Sequence, residues 1–230
     1  MQDFTLKAAP DVTVTLRRST RARRISLRVS SLDGRVTLTL PPGTPERAGR
    51  AFAEEKARWL QQAVGKVAAS VPVALGTELP VAGHMRRVVP GQGRAARLGE
   101  DSIAAPLGRE GPAIEALLKR VARDHLDAAV ARYAAALGRT PGKVSLRDTR
   151  SRWGSCSSEG NLMFSWRLIL APSQVLDYVA AHEVAHLAHM DHSPAFWSVV
   201  QDLFPDHKAQ RAWLRRDGPH LHRYRFRSDD

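Results

Sequence analysis

The eleven residues from His182 to His192, HEVAHLAHMDH, constrain this chain more than any other stretch. His182 and His186 are four positions apart. On an α-helix that is about 400° of rotation and about 6 Å of rise, so both imidazoles leave the same face. Two rings so placed can reach one ion at Zn–N distances of about 2.0–2.1 Å. Glu183 follows about 100° round the helix, where it can lean over an ion without binding it. The run before it, LDYVAA at 176–181, lacks glycine and proline and is apolar enough to be buried. The segment therefore calls for a buried helix presenting H-E-x-x-H, in which two histidines hold zinc and the glutamate takes a proton from water.

A tetrahedral catalytic site takes three protein ligands and keeps one position open. On a continued helix His189 would face the same way but lie about 10 Å further along the axis than His182. Three histidines on one straight helix cannot converge, so the chain has to bend at His189, Met190 or Asp191. Histidine and aspartate tolerate the left-handed backbone that such a bend can use. His192, after the bend, is the favoured third ligand; His189 and, more remotely, Asp202 are the alternatives. Asp191 either orients a ligand imidazole or caps the next helix.

Around this motif the pattern is mixed. Val12, Val14 and Leu16, then Ile25, Leu27 and Val29, then Val36, Leu38 and Leu40 alternate as strands, with Asp33-Gly34 as a hairpin turn. Thr44-Pro45 opens an amphipathic helix to about residue 66, and strands return around Leu79–Val81 and Met85–Val89. Residues 107–112 read as a loop, 113–137 as a helix stopped by Gly138, and 144–146 and 162–166 as strands with Glu159-Gly160 as the turn. Helices begin at Pro172-Ser173, Ser193-Pro194 and near residue 206. The expectation is an α+β chain: a β-rich region with one amphipathic helix over 1–108, then a catalytic domain over 109–230. Its motif helix should pack beside a small antiparallel sheet. Trp59 and Trp213 are expected in core or interface, and His220 and His222 in a solvated tail.

The chain has 35 lysines and arginines against 23 acids, a net charge of +12. Such a surface attracts nucleic acid, nucleotides or other polyanions, or is simply solvated. A lone cysteine, Cys156, excludes an intramolecular disulfide. With no signal-peptide pattern and no run of about 20 apolar residues, the expectation is a cytoplasmic protein without a membrane partner.

RWGSCSSEGNL at 152–162, DYVAAHEVAHLAHMDHSPAFW at 177–197 and RRSTRARRISLRVSSLDGRVTLTLPPG at 17–43 together resemble the YgjP-like metallopeptidase family, relatives of the WLM and SprT-like zincins. The resemblance implies a zincin-like catalytic domain, one zinc ion on His182, His186 and His192, and Glu183 as general base. The implied activity is zinc-dependent hydrolysis of a peptide or protein. The alternatives are a nucleoside triphosphate (UTP) pyrophosphohydrolase, as some members are labelled, and a nucleic-acid-associated SprT-like protease. In the RWGSCS signature, Arg152 could stabilise an oxyanion or phosphate or could equally be structural; Trp153 could wall the cleft, with structural packing the favoured role. Cys156 reads as a small buried filler. Phe196 and Trp197 should brace the third-ligand loop. A peptide would lie extended along an edge strand near 162–166. No glycine-rich phosphate cradle is visible for a nucleotide.

Overall fold

A computed structural model describes residues 2–30, 32–66 and 69–227. Two compact units divide the chain at Ser70/Val71. The first carries β1 (Gln2–Thr5), β2 (Thr13–Arg18), β3 (Ser26–Val29) and β4 (Val36–Leu40), then α1 (Glu46–Glu55) and α2 (Ala57–Gly65). Its sheet runs β1-β2-β4-β3, with β2 and β4 parallel and the other pairs antiparallel. The alternating residues point one way: Val14, Leu16, Val36, Leu38 and Leu40 are buried together with Ala53, Ala57 and Leu60 of the helices. Gly49 lets α1 lie close on the sheet, since a Cβ there would meet Leu40 Cδ2 at 2.6 Å.

The single helix expected over 45–66 is two. Lys56 leaves the helical region (φ −95°, ψ 7°), while its N–H still bonds Phe52 and Ala53 carbonyls. The break keeps Ala53, Ala57 and Leu60 on the sheet. Trp59 faces solvent at 48% exposure, not core.

The second unit holds β5 (Val71–Pro72), β6 (Glu78–Val81), β7 (His84–Pro90), β8 (Arg97–Leu98), β9 (Ser102–Ala105), α3 (Glu110–Leu137), β10 (Val144–Arg147), β11 (Gly154–Cys156) and β12 (Leu162–Ser165). A 3₁₀ turn (Trp166–Leu170), α4 (Ser173–Ala185), α5 (Pro194–Leu203), α6 (His207–Arg216), a second 3₁₀ turn (Gly218–Arg223) and β13 (Tyr224–Arg225) complete it. The position 108/109, where the sequence suggested a division, falls inside this second compact unit. The reason lies in the core: Leu79, Val81, Val88, Ile103 and Ala105 share one apolar cluster with α3 and α4. The unit's first and last strands, β5 and β13, also pair with each other.

Two further expectations change. α3 begins at Glu110 rather than 113. Pro112 fits its first turn, where no N–H bond is lost, and Gly111 is needed because a Cβ would collide with the Phe226 carbonyl. The small sheet beside the motif helix, ordered β10-β12-β11, is mixed rather than antiparallel: β10 runs parallel to β12 and β11 antiparallel. Trp166 starts the buried 3₁₀ turn instead of ending β12. The architecture is α+β, with a β-rich N-terminal region. No helix among the described residues is long and apolar enough to cross a membrane.

Candidate metal and active site

α4 is buried almost throughout, which its apolar run requires, and it carries His182 and Glu183 into the interior. It ends at Ala185, before His186. Leu187 and Ala188 then make i→i−3 bonds to Val184 and Ala185, tightening the last turn. The chain reverses over 189–192 with no left-handed residue, so the expected special backbone at His189 or Asp191 is not used. Asp191 Oδ1 accepts the Ser193 N–H at 3.2 Å, and Ser193 Oγ accepts that of Phe196 at 3.4 Å, starting α5. Of the two roles open to Asp191, this is the one at the helix entry.

The reversal brings His192 back over α4. Its Nε2 lies 3.2 Å from Nε2 of His182, and one ring nitrogen from each of His182, His186 and His192 falls within 4.8 Å of the others. Nitrogens around a tetrahedral ion at about 2.05 Å would sit about 3.3 Å apart. The His182–His192 spacing already matches that value, and three donors are the number a catalytic ion of this kind takes from the protein. His186 Nδ1 meets the His189 carbonyl at 3.0 Å, which assigns its proton to Nδ1 and leaves the Nε2 lone pair for a metal. His189 thus contributes its backbone, not its ring. Nδ1 of His182 is buried without a hydrogen-bond partner among the described residues.

Phe196 is wholly buried and holds all three rings: it stacks on His186 at 4.5 Å and presents an edge-on contact to His182 and His192 at 5.0 and 4.9 Å. Trp197 also packs on His182 and His192, at 5.7 and 5.9 Å. Burial, then the neighbouring His186 and His192, pushes the His182 pKa down to about 3, so this imidazole is neutral at any ordinary pH. A neutral ring is the form that ligates a metal.

Glu183 faces β11. A Cβ on Gly154 would be 2.6 Å from its Cγ and Oε1. Burial raises its pKa to about 8, against the opposing charge of Arg152. The carboxyl thus sits in an environment matched to proton transfer near neutral pH. The cleft in front of it, about 480 Å³, is lined by Arg152, Gly154, Cys156, His182, Glu183 and His192 among others. Arg152 is at its exposed rim. Trp153 is not in the lining: it turns to the second 3₁₀ turn, packing on Gly218 and on His222 at 5.2 Å. Of the two roles open to Trp153, this contact is the structural one, and His222 is its half-buried partner rather than part of a solvated tail.

β12 is central and buried, so the segment near 162–166 offers no free edge. The edge beside the cleft is β11. Bonds from Ser165 N to Trp153 O and from Ser157 N to Asn161 O fix the register. By alternation the N–H and C=O groups of Gly154 and Cys156 then point away from β12, along the open edge. Reading the residues alone missed Gly154 here. A glycine inside a strand pattern is the available signal, because it marks a close approach of another group.

The sequence matches the model of the YgjP-like, metallopeptidase domain family over residues 23–217. The chain belongs to the YgjP-like metallopeptidase family. The match takes in most of the first unit and nearly all of the second, including the whole histidine cluster, and membership makes the protein a metal-dependent hydrolase of the peptidase class. Among solved structures, the crystal structure of the metallopeptidase zymogen of Pyrococcus abyssi abylysin is similar at 23% identity, covering 40% of this chain and 95% of that one, with a TM-score of 0.36. No curated protein gives a significant match.

Proposed function

We propose that this YgjP-like protein is a zinc-dependent peptidase, with one ion held by His182, His186 and His192 and Glu183 as the general base. The observation that carries this reading is the meeting of three imidazole nitrogens within 4.8 Å beside a buried carboxyl that is not one of them. Zinc bound there would acidify water and polarise a substrate carbonyl.

The remaining work falls to the chain. Glu183 takes the water proton on its carboxylate and passes it to the leaving amine. Gly154 leaves room for that carboxylate and, with Cys156, offers backbone N–H and C=O groups to an extended peptide along the edge of β11. Arg152, at the rim, is placed to attract negative charge developing on the substrate. Phe196 and Trp197 hold the imidazoles against rotation and keep water from their outer faces.

A panel of casein, unstructured peptides and nucleoside triphosphates tests the reading. Peptide cleavage by the native protein, abolished in Glu183→Gln, supports it. Release of pyrophosphate from UTP with no peptide cleavage would replace it with the nucleotide alternative.

A further inference from the structure

We propose that the solvent face of the first unit's sheet is a docking surface for the phosphate backbone of a nucleic-acid duplex. This inference is independent of the peptidase site. Residues 1–70 contain thirteen lysines and arginines against six acids, a net +7 of the chain's +12 in under a third of its length.

The strand register shows where much of that charge goes. Leu16, Leu27 and Leu38 lie in one row and face the helices. The flanking rows face the other way. One joins Asp3, Thr15, Thr37 and Arg28; the next joins Arg17, Thr39 and Ser26. Arg17 and Arg28 thus stand on the same outer face, two strand spacings and two residues apart, about 12 Å between Cα atoms. The connection from β2 to β3 adds Arg21, Arg23 and Arg24 at the end of the sheet where Arg17 lies, and Arg35 precedes β4. All six are exposed, and among the described residues none is in an ion pair. Arg18 is different: its guanidinium donates to the Pro41 and Thr44 carbonyls and ties the unit together.

Arginines interleaved with threonine and serine hydroxyls suit phosphate oxygens, which accept from both. The same face has no aromatic side chain. The aromatics of residues 1–70 are Phe4, Phe52 and Trp59. Phe4 pairs with Val14 on the core side, under the Arg50 guanidinium, and the other two are on the helices. Without stacking platforms the surface lacks what holds unpaired bases. Without an exposed apolar residue it also lacks an anchor for a lipid surface, Trp59 being on the opposite side. Duplex recognition through phosphates, with little dependence on sequence, is the chemistry that remains.

The experiment uses the 230-residue chain and a fluorescent DNA duplex of about 20 base pairs, titrated between about 50 and 200 mM salt. Six engaged arginines predict a log–log salt slope of about −5, and Arg17→Ala/Arg24→Ala/Arg28→Ala should weaken binding about 30-fold or more and flatten the slope by about 3. A charge-matched control, Arg94→Ala/Arg120→Ala/Arg139→Ala in the second unit, should change affinity by less than about threefold. Thermal melts check that both variants remain folded. No binding at the lowest salt, equal loss in both variants, tighter binding of the single strand than of the duplex, or binding only to equimolar phosphatidylcholine–phosphatidylserine vesicles would each overturn the proposal.

Discussion

The carboxylate of Glu183 lies against the backbone of Gly154, so close that a methyl on that glycine would sit 2.6 Å from Oε1. The strand and the helix meet there without an intervening side chain. That contact sets where the carboxylate can stand relative to the three imidazoles.

Gly154→Ala should therefore act on chemistry more than on folding. Overpacking of this kind costs about 1–3 kcal/mol, whereas displacing a catalytic group by about 1 Å can cost about 10²-fold in rate. The expected result is a folded, metal-containing protein with peptide turnover reduced about 10²-fold. Metal content, thermal melting and kcat measured together check it.

His192 is exposed, while His182 and His186 are enclosed by α4 and Phe196. His192→Ala should leave the metal-free fold nearly as stable as before, within about 0.5 kcal/mol, as for a surface change. It should also weaken zinc binding by orders of magnitude. Chelator competition reads the second effect and denaturant unfolding of the chelated protein the first.

The C-terminal turn is latched by Arg167. This buried guanidinium bonds Asp148 at 2.7 and 3.0 Å and donates to the Tyr224 carbonyl at 2.9 Å. Burial alone would raise the Asp148 pKa, but the bonds from Arg167 outweigh it and hold the carboxyl below its ordinary value. Arg167→Ala leaves these acceptors unpaired. The expected loss is about 2–3 kcal/mol, below the roughly 3–5 kcal/mol of a fully buried pair because Asp148 is partly exposed. Urea denaturation measures it.

Burial, then the charge of Arg167, lowers the His222 pKa to about 4. Its folded value lies below the value of about 6.5 in an unfolded chain. Between those limits the unfolded chain binds more protons, so stability falls as pH drops from about 6.5 to about 4. His222→Phe keeps the packing on Trp153 and removes this contribution. The difference between native and variant protein should change by about 2 kcal/mol across that window, after discounting for solvent screening. Melting temperatures at matched pH values check the sign: the variant gains on the native protein toward acid.

What the sequence revealed about the fold follows the range of the forces involved. The motif helix was legible because four-residue spacing and an apolar run are local signals. The need for a bend before His192 followed from helix rise alone. The partnership of Phe196 with all three rings was legible only as an apolar face. Strand order was not legible: whether 144–147 lies parallel or antiparallel to 162–165 depends on long-range packing, and β11 is only three small residues with no alternating apolar pattern to mark it. The grouping of β6 to β9 with α3 and α4 was not legible for the same reason, since only the shared core decides which unit they join. The second 3₁₀ turn looked like a polar tail because its burial comes from Trp153 and Arg167, far away in the chain.

Zinc stoichiometry, measured side by side with casein cleavage for the native protein, Glu183→Gln and His192→Ala, bears most directly on the three-histidine site with a separate base. One zinc per chain in the native protein and in Glu183→Gln, cleavage only in the native protein, and neither zinc nor cleavage in His192→Ala is the expected pattern. Full cleavage by Glu183→Gln, or a full zinc complement in His192→Ala, would contradict it.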